Sequence, residues 1–395
     1  SRGAPRPWCG CSSRTATFPE RRPLSTVYRL FVSVTPGLEE LLAEELGELT
    51  LLPRRAESVA GGLSFAAELA ALRRLCQLST LAEGVRVRIG KPFVARNFSA
   101  LEAQVARLPW HAFLRAGQGA PRLRISTSRS KLFHSGAIAE RVARAIAQAR
   151  GAGEGGEEGA LVHVRLERDQ VQLSIDAAGE PLHRRGYRQH VGAAPLRETL
   201  AAACLRAAGY RGRRALWDPF CGSGTIPLEA LRLARGCAPG AQRRFAFESW
   251  PTSSSTPDNP LRGEEEGCHG LVVGSDRDAE VLAAAKHNGG LAQVGESLRL
   301  RRGEPQELVE EIPRGALLVT NPPYGQRLDE GIRATYAKLN GLLRRRRDLE
   351  AWVLTASPEL SRTAKGLEWE VALAFRNRGL RVRLFVLRPR VGRRC

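Results

Sequence analysis

Four hydrophobic segments in the second half of the chain each end at a glycine-rich, acidic or proline-containing turn. In chain order the turns are DPFCGSGT (218–225), SDRD (275–278), GE (303–304) and NPPY (321–324). A strand that runs through a glycine-rich turn into a helix, here Ile226 to Arg235, is the first half of a nucleotide-binding unit. Each turn alone is a weak signal. Four in order predict an α/β domain with a Rossmann-like sheet.

The first two turns suit a ligand that carries a ribose. Gly222 and Gly224 let the backbone approach a ligand closely, and the following helix offers free N–H groups at its N-terminus. Asp276 stands at the end of the second strand, where an acidic side chain grips a ribose diol.

The fourth turn indicates a chemistry. Asn321 and the carbonyl of Pro322 are hydrogen-bond acceptors, and an exocyclic amine on a base has two N–H groups to donate. Pro322 and Pro323 stiffen the backbone, and Tyr324 offers a flat face for stacking. A strand-ending turn that happens to contain two prolines is the alternative reading of this tetrapeptide.

DPFCGSGT, GSD and TNPPYG resemble the signatures of S-adenosylmethionine-dependent methyltransferases that act on exocyclic amines. The segments SKLFHSGAIAER (130–141) and LHRRGYR (182–188) narrow the resemblance to RlmL-type 23S ribosomal RNA guanine-N2 methyltransferases. The similarity runs from about Tyr28 to the C-terminal strands. Bacterial members often continue into a second methyltransferase domain, which this sequence does not contain.

The resemblance implies S-adenosylmethionine as cofactor and assigns roles to individual residues. Asn321, Pro322, Pro323 and Tyr324 would hold the target amine. No nucleophilic residue is implied, because the cofactor itself carries the electrophile. Glu304 would lie near the adenine, although such families usually have Asp after the third strand and Gly303 could occupy that position. The cofactor would contact Asp218, Pro219, Cys221, Gly222, Ser223, Gly224, Thr225, Asp276, Glu304 and, within the segment 195–199, Thr199.

The front half of the chain predicts two α+β units. A strand at 27–34, a helix at 38–46, a strand at 61–65 and a helix at 69–79 suit a small ferredoxin-like unit. The resemblance implies a THUMP RNA-binding domain after it. The expected domains are a leader (1–25), the ferredoxin-like unit (26–66), the THUMP domain (67–178) and a class I methyltransferase domain (181–395). Residues 251–268 form a low-complexity insertion without an assigned function.

Two basic segments are candidates for RNA binding. Ser130, Lys131 and His134 lie between a predicted strand and a predicted helix, where hydroxyls, cations and helix-end N–H groups can bind phosphates. A solvated loop is the alternative. In the second segment, arginines could hold the RNA backbone while an aromatic ring stacks on a base. A charged domain linker is the alternative interpretation of this segment. Its candidates are Arg184, Arg185, Tyr187 and Arg188.

The formal net charge of +20 over 395 residues comes almost entirely from arginine. Guanidinium groups bind phosphate in pairs of hydrogen bonds, so a polyanionic partner is expected, although GC-rich codon usage would also raise the arginine content. No apolar run reaches the ~18 residues of a membrane span. The eight cysteines form no CxxC pair, so neither a metal site nor a disulfide framework is expected. The sequence says nothing about the oligomeric state.

The leader, residues 1–25, contains five arginines, several serines and prolines, and Glu20 as its one acidic residue. This composition is typical of an organellar transit peptide, with the chloroplast preferred over the mitochondrion. An unstructured basic leader in a bacterial cytoplasmic protein is the alternative.

The expected function is methyl transfer from S-adenosylmethionine to the N2 amine of a guanosine in bacterial-type large-subunit ribosomal RNA. A transfer RNA guanine-N2 methyltransferase shares the same motifs. A DNA amino-methyltransferase shares NPPY but would not need a THUMP-like front half. A catalytically silent ribosome-assembly factor would show a broken NPPY or glycine turn, and neither is broken.

Overall fold

The computed structural model describes residues 26–115, 118–150, 159–190, 196–253, 270–323, 329–377 and 379–390. Two seven-stranded sheets, one in each half of the chain, organise these residues. None of the described helices is long and apolar enough to cross a membrane. The expected leader lies outside the described residues, as does most of the low-complexity insertion.

The N-terminal sheet contains seven strands in the order β2-β3-β1-β4-β7-β6-β5. Its pairings are antiparallel except for the parallel pair β5–β6. The strands are β1 (Val27–Ser33), β2 (Glu57–Val59), β3 (Gly62–Glu68), β4 (Gly84–Val94), β5 (Arg122–Ser128), β6 (Leu161–Glu167) and β7 (Gln170–Asp176). The helices are α1 (Glu39–Glu48), α2 (Leu69–Leu78), α3 (Phe98–Ala106) and α4 (Ser135–Arg150).

The alternating sequence of these strands places apolar side chains on one face, where they pack beneath the helices. Leu30, Val32, Val85, Val87 and Ile89 are all buried there. The expected boundary at 66/67 falls inside β3, and the strands on either side of it share one sheet and one hydrophobic core.

The C-terminal sheet has the order β10-β9-β8-β11-β12-β14-β13. Five strands are parallel, and β14 and β13 are antiparallel additions at one edge. The strands are β8 (Leu216–Asp218), β9 (Val272–Asp276), β10 (Leu298–Arg302), β11 (Leu317–Thr320), β12 (Glu350–Thr355), β13 (Leu367–Asn377) and β14 (Leu380–Pro389). The helices are α5 (Glu198–Ala207), α6 (Thr225–Ala234), α7 (Ala279–Leu291), α8 (Pro305–Leu308), α9 (Asp329–Arg345) and α10 (Glu359–Thr363).

This arrangement is an α/β fold with a mostly parallel sheet, and the expectation of a Rossmann-like sheet in this half is confirmed. Each of the four hydrophobic segments that precede the turns forms a strand, and these strands are β8, β9, β10 and β11. The strand order reverses between β8 and β11, and ligands of open α/β sheets bind outside the carboxyl ends of strands at such a reversal.

The two sheets are joined by backbone and side-chain contacts. The amide of Gly240 donates to the carbonyl of Gln77 at 2.9 Å, and the amide of Leu182 donates to the carbonyl of Glu83 at 2.9 Å. Tyr28, Phe113 and Trp250 form an aromatic cluster with ring centroids 5.1 to 6.2 Å apart. The two halves therefore share a packed interface.

Candidate active site

A cavity of about 600 Å³ lies at the carboxyl ends of β8, β9 and β11, where the strand order reverses. All four turns singled out in the sequence contribute to its wall. The predicted residues that line it are Asp218, Pro219, Cys221, Gly222, Ser223, Thr225, Asp276, Glu304, Asn321, Pro322 and Pro323.

The carboxylate of Asp276 is oriented by two backbone amides. Gly222 donates to its Oδ2 at 3.1 Å, and Asp278 donates to its Oδ1 at 3.1 Å. The glycine turn is held against the same strand, because the amide of Cys221 donates to the carbonyl of Ser275 at 2.9 Å. Each carboxylate oxygen keeps a second lone pair, so Asp276 can still accept hydrogen bonds from a diol in the cavity.

Asp218 connects the glycine turn to the NPPY turn. Its Oδ1 accepts a hydrogen bond from the Thr320 hydroxyl at 2.6 Å and another from the Phe220 amide at 3.1 Å. Burial raises the pKa of this carboxyl to about 7, against the lowering effect of both hydrogen bonds. Thr320 directly precedes Asn321, so the position of the fourth turn depends on the first.

The Asn321 side chain has the clearest unmet hydrogen-bonding capacity in the cavity. Its Oδ1 is buried and has no hydrogen-bond partner among the residues that the structure describes. Pro322 is buried and Pro323 is exposed, and both line the cavity. Since buried polar atoms are nearly always hydrogen-bonded, an orphaned amide oxygen at a cavity wall suits a ligand with an N–H group. Tyr324 lies outside the described residues.

The end of the third strand contributes both Gly303 and Glu304 to the cavity. The Glu304 side chain forms a reciprocal cap with Glu307 at the start of α8. It also lies 3.8 Å from the Lys338 ammonium and 4.0 Å from the Arg277 guanidinium. Glu304 therefore has structural partners of its own, and Gly303 shares the position expected of it.

Two predicted cofactor residues lie behind the cavity wall. Gly224 precedes α6 with φ of +87°, and a Cβ there would lie 3.1 Å from the Ala285 side chain. Thr199 is buried, and its hydroxyl has no hydrogen-bond partner in the described ranges of the chain. Neither lines the cavity, whereas Leu196 and Arg197, from the same predicted segment as Thr199, do. The contribution of that segment comes from the residues just before α5.

Sequence reasoning missed other residues at the site. Asn288 on α7 is fully buried, and its amide donates to the carbonyls of Ser223 at 3.2 Å and His190 at 2.8 Å. It fixes the glycine turn from behind. Thr335, Asn377, Leu380 and Val382 also line the cavity. No motif marks these residues, because α9, which carries Thr335, and the β13–β14 hairpin, which carries the other three, reach the cavity only through the tertiary fold.

The first RNA-binding candidate segment lies at the protein surface. Lys131 and His134 are exposed in the loop between β5 and α4, beside Phe133, whose side chain is 63% exposed. The hydroxyl of Ser130 accepts a hydrogen bond from the Asp169 amide at 3.0 Å, and the Lys131 amide donates to the Asp169 carboxylate at 2.7 Å. These bonds hold the loop in place, while the side chain of Lys131 is exposed.

The second candidate segment requires a correction. Arg185 and Tyr187 are only 2% and 0% exposed. Nη1 of Arg185 lies 2.9 Å from Glu229 Oε2, and the Tyr187 hydroxyl donates to Glu229 Oε1 at 2.6 Å. The interpretation of these two residues as an RNA clamp is wrong, because both side chains are buried and bind the Glu229 carboxylate inside the protein.

The other two arginines of that segment differ. Arg188 is nearly buried, and its guanidinium lies 3.3 Å from Glu198 and donates to the Thr225 hydroxyl at 3.2 Å. It supports the glycine turn from below and is not available to RNA. Arg184 is exposed, with an ion pair of 2.6 Å to Glu180, four residues earlier.

The described residues contain no group of three or more His, Cys, Asp or Glu side chains that could hold a metal ion.

Comparisons with known proteins agree with the fold and the motifs. Residues 185–376 match a family model described as RMKL-like, methyltransferase domain. The chain is 36% identical over 360 residues to a ribosomal RNA large subunit methyltransferase K/L of Syntrophotalea carbinolica, covering 85% of this chain and 50% of the relative. It is 30% identical over 372 residues to the "Putative RNA methyltransferase slr0064" of Synechocystis sp., covering 90% of this chain and 95% of the relative.

The solved structure of SMU.472, obtained as a complex with SAH, has a TM-score of 0.81 and 22% identity over 93% of this chain and 100% of that one. The chain spans about half the length of the K/L relatives it matches. The Synechocystis relative is matched along nearly its whole length. The chain belongs to the RMKL-like methyltransferase family.

Proposed function

We propose that the protein transfers a methyl group from S-adenosylmethionine to the exocyclic N2 amine of a guanosine in bacterial-type large-subunit ribosomal RNA. The observation that carries the proposal is the orphaned Oδ1 of Asn321, which lies in the same cavity as the oriented carboxylate of Asp276. A site for a nucleoside and a site for an amine are thus continuous.

The residues of the cavity fit the proposed cofactor. Asp276 would accept hydrogen bonds from the ribose hydroxyls, Gly222 leaves space for the nucleoside beside the turn, and Gly303 with Glu304 would border the adenine. When bound, the cofactor supplies an electrophilic methyl group. The described residues then have to orient the two partners and exclude water from between them.

Asn321 and the Pro322 carbonyl would accept the two N–H groups of the target amine. Accepting both protons directs the nitrogen lone pair out of the plane of the ring. The hydrogen bond from Thr320 to Asp218 fixes the position of the backbone directly before Asn321. The two acceptors would therefore be preorganised before RNA binds. A paired base would be inaccessible to a cavity, so the target guanosine must be unpaired or flipped out.

We also propose that the N-terminal half is the RNA-binding part, with a ferredoxin-like unit followed by a THUMP-like domain. The order of elements β1-α1-β2-β3-α2-β4, with strands arranged β2-β3-β1-β4, suits a ferredoxin-like unit. The exposed Lys131 and His134 beside the start of α4 are typical of a phosphate-binding loop. The names of the K/L relatives favour ribosomal RNA over transfer RNA.

The localisation we propose is organellar, with the chloroplast preferred. The arginine-, serine- and proline-rich composition of residues 1–25 supports it.

Two matched variants test the proposal by affecting different steps. Asp276→Ala should weaken binding of S-adenosylmethionine by about 1–3 kcal/mol, the cost of losing a charged hydrogen-bond partner. Asn321→Ala should leave that binding nearly unchanged and abolish methyl transfer, because its role is specific to the amine. Calorimetry measures the first effect and single-turnover transfer to ribosomal RNA the second.

Mapping of N2-methylguanosine in the ribosomal and transfer RNAs of cells with and without the gene identifies the substrate. If the modification is lost from a transfer RNA alone, that transfer RNA and not ribosomal RNA is the substrate. Wild-type single-turnover rates in Asn321→Ala would contradict the assignment to amine methylation.

A further inference from the structure

The N-terminal sheet has a second face, opposite the helices, that is covered with arginines. Side chains on this face alternate with the buried apolar residues of the same strands. Its arginines are half-buried or exposed, and His163 and Ser174 near its centre are buried. We call this surface the basic face and define it by Arg29 on β1, Arg86 and Arg88 on β4, Arg124 on β5 and Arg165 on β6.

The strand register places these residues in continuous rows. Arg88 lies opposite Ser174, Ser174 opposite His163, and His163 opposite Arg124, so one row crosses β4, β7, β6 and β5. With strands ~4.8 Å apart, its two arginines are about 14 Å apart along the row. The row between them is polar.

A second row crosses β1, β4 and β7. Phe31 lies opposite Arg86, and Arg86 opposite Asp176. The Arg86 guanidinium is 5.9 Å from the centre of the Phe31 ring. An aromatic ring beside a guanidinium provides a stacking surface next to a phosphate-binding group.

The positive charge of this face is poorly compensated within the described residues. No ion pair within 4 Å joins Arg29, Arg86, Arg88 or Arg124 to an acidic side chain there, and Arg165 is paired with Glu167 at 2.7 Å. The acidic groups that act on these arginines at longer range are Asp176 and Glu57.

The arginines also repel one another. Burial lowers the pKa of Arg86, and the nearby Arg124 lowers it further, while Asp176 opposes both. The pKa of Arg88 is lowered by burial and then by Arg29 and Arg165, against Glu57. An anion on this face would relieve the repulsion and accept hydrogen bonds from the half-buried guanidinium groups.

Two buried polar atoms on the same face have no hydrogen-bond partner within the described part of the chain. They are Nε2 of His163 and Oε1 of Gln172. The His163 nitrogen lies 3.8 Å from the Asp176 carboxylate, beyond hydrogen-bond distance. Since buried polar groups are normally satisfied, the centre of the basic face is a surface with open hydrogen-bonding positions.

We propose that the basic face binds the phosphate backbone of the substrate RNA. This inference rests on the proposed function only for the identity of the polyanion. Guanidinium groups distributed over a sheet face, with one aromatic ring among them, suit a strand of nucleic acid that makes both phosphate and stacking contacts.

The position of the face relative to the cavity supports this role. Glu83, directly before β4, pairs with Arg197 at 2.9 Å, and Arg197 lines the cavity. Arg86 follows Glu83 by three residues, which is about 10 Å along a strand. The amino end of β4, from which the basic face extends, therefore lies near the rim of the cavity.

The experiment compares two triple variants of the full-length protein. The first removes three arginines of the face (Arg86→Gln, Arg88→Gln and Arg124→Gln). The matched control removes three exposed arginines that precede β11 and β12, at the edge of the C-terminal sheet opposite the cavity (Arg314→Gln, Arg345→Gln and Arg347→Gln). Binding of a labelled single-stranded RNA of about 20 nucleotides, longer than a typical site of ~4–16, is followed by fluorescence anisotropy without cofactor.

The face variant should bind about 10- to 100-fold more weakly at 100 mM salt, and the slope of log affinity against log salt should become shallower by about 2, the value for three lost phosphate contacts to a single strand. The control should change either quantity much less. Equal losses in both variants, or no loss in the face variant, would overturn the proposal. Displacement of the RNA by polyglutamate at equal charge concentration would also overturn the proposal, because it would indicate that the basic face binds an acidic protein.

A single variant guards against a folding defect. Arg124 is exposed on β5, so Arg124→Gln cannot leave a buried cavity and should still lower the affinity severalfold. An unchanged affinity in this well-folded variant counts against the face. RNA binding is measured without cofactor and is therefore independent of methyl transfer. If the face variant keeps its RNA affinity, this inference fails and the proposed function is unaffected. If the wild-type protein binds RNA through the face but transfers no methyl group to it, the proposed function fails and this inference stands.

Discussion

Replacing Glu229 with Gln should destabilise the protein strongly, because the change leaves a buried guanidinium without a counter-charge. Arg185 and Glu229 are 2% and 3% exposed, and their closest atoms are 2.9 Å apart. Removing one partner of such a pair typically costs about 3–5 kcal/mol. Gln keeps the shape of the side chain and an oxygen for the Tyr187 hydroxyl, so the loss comes mainly from the charge.

The size of the thermal shift follows from the length of the chain. An unfolding entropy of ~2.1 cal/mol/K per residue gives about 0.8 kcal/mol/K for 395 residues. A loss of about 3–5 kcal/mol then lowers Tm by about 4–6 °C. Differential scanning calorimetry measures this shift, and urea titration measures the corresponding loss in free energy of unfolding.

Two further variants complete the test. Glu140→Gln changes the same residue type in an exposed i,i+4 pair with Arg144, and it should cost less than about 1 kcal/mol. Combining Glu229→Gln with Arg185→Met should recover part of the loss, because no unpaired charge remains. A shift below about 1 °C for Glu229→Gln, or a loss of RNA affinity without any loss of stability, would refute the assignment of this cluster to the folded core.

The remaining predictions concern pH, stacking and targeting. The pKa of Asp218 is raised to about 7 in the folded protein, so the native state holds a proton that the unfolded chain releases near pH 4; stability from this group is complete below about pH 4 and is lost as pH rises to about 7. Asp218→Asn should flatten that decline in urea titrations between about pH 4 and 8, and an unaltered pH profile would contradict the raised pKa. Tyr324→Phe should change the turnover of RNA little, whereas Tyr324→Ala should lose about 1–3 kcal/mol of base stacking in kcat/KM; equal losses would show that the hydroxyl matters. Residues 1–25, with any residues encoded upstream, should direct a fluorescent reporter to a plastid or mitochondrion, and a cytosolic or nuclear reporter would exclude the organellar proposal.

The sequence predicted the catalytic half well, because its signals are local. A strand, a turn and a helix are adjacent in the chain, so Gly222, Asp276 and Asn321 could each be placed at the end of a strand without knowledge of the rest. The parallel order of those strands then brings the turns to one edge of the sheet. Every described residue of the four turns except Gly224 and Ser275 lines the cavity as a result.

The buried cluster could not be predicted because its members are far apart in the chain. Arg185 and Tyr187 look like an exposed basic segment, and only Glu229, more than forty residues later, shows that they are neutralised and enclosed. The basic face was missed for a related reason. Arginines alternate visibly within β4 and β5, but no local pattern indicates that β7 and β6 lie between these strands.

The contacts that join the two sheets have a consequence for substrate choice. Arg185 donates to the carbonyl of Thr80 at 2.7 Å, and Arg197 pairs with Glu83, so each half of the chain is tied to the other beside the cavity. Such a connection fixes the separation between the basic face, where we propose that RNA binds, and the cavity, where a base would be modified. The protein would then select its target nucleotide by the distance of that nucleotide from the part of the folded RNA bound to the basic face. The sequence around the target nucleotide could therefore vary widely.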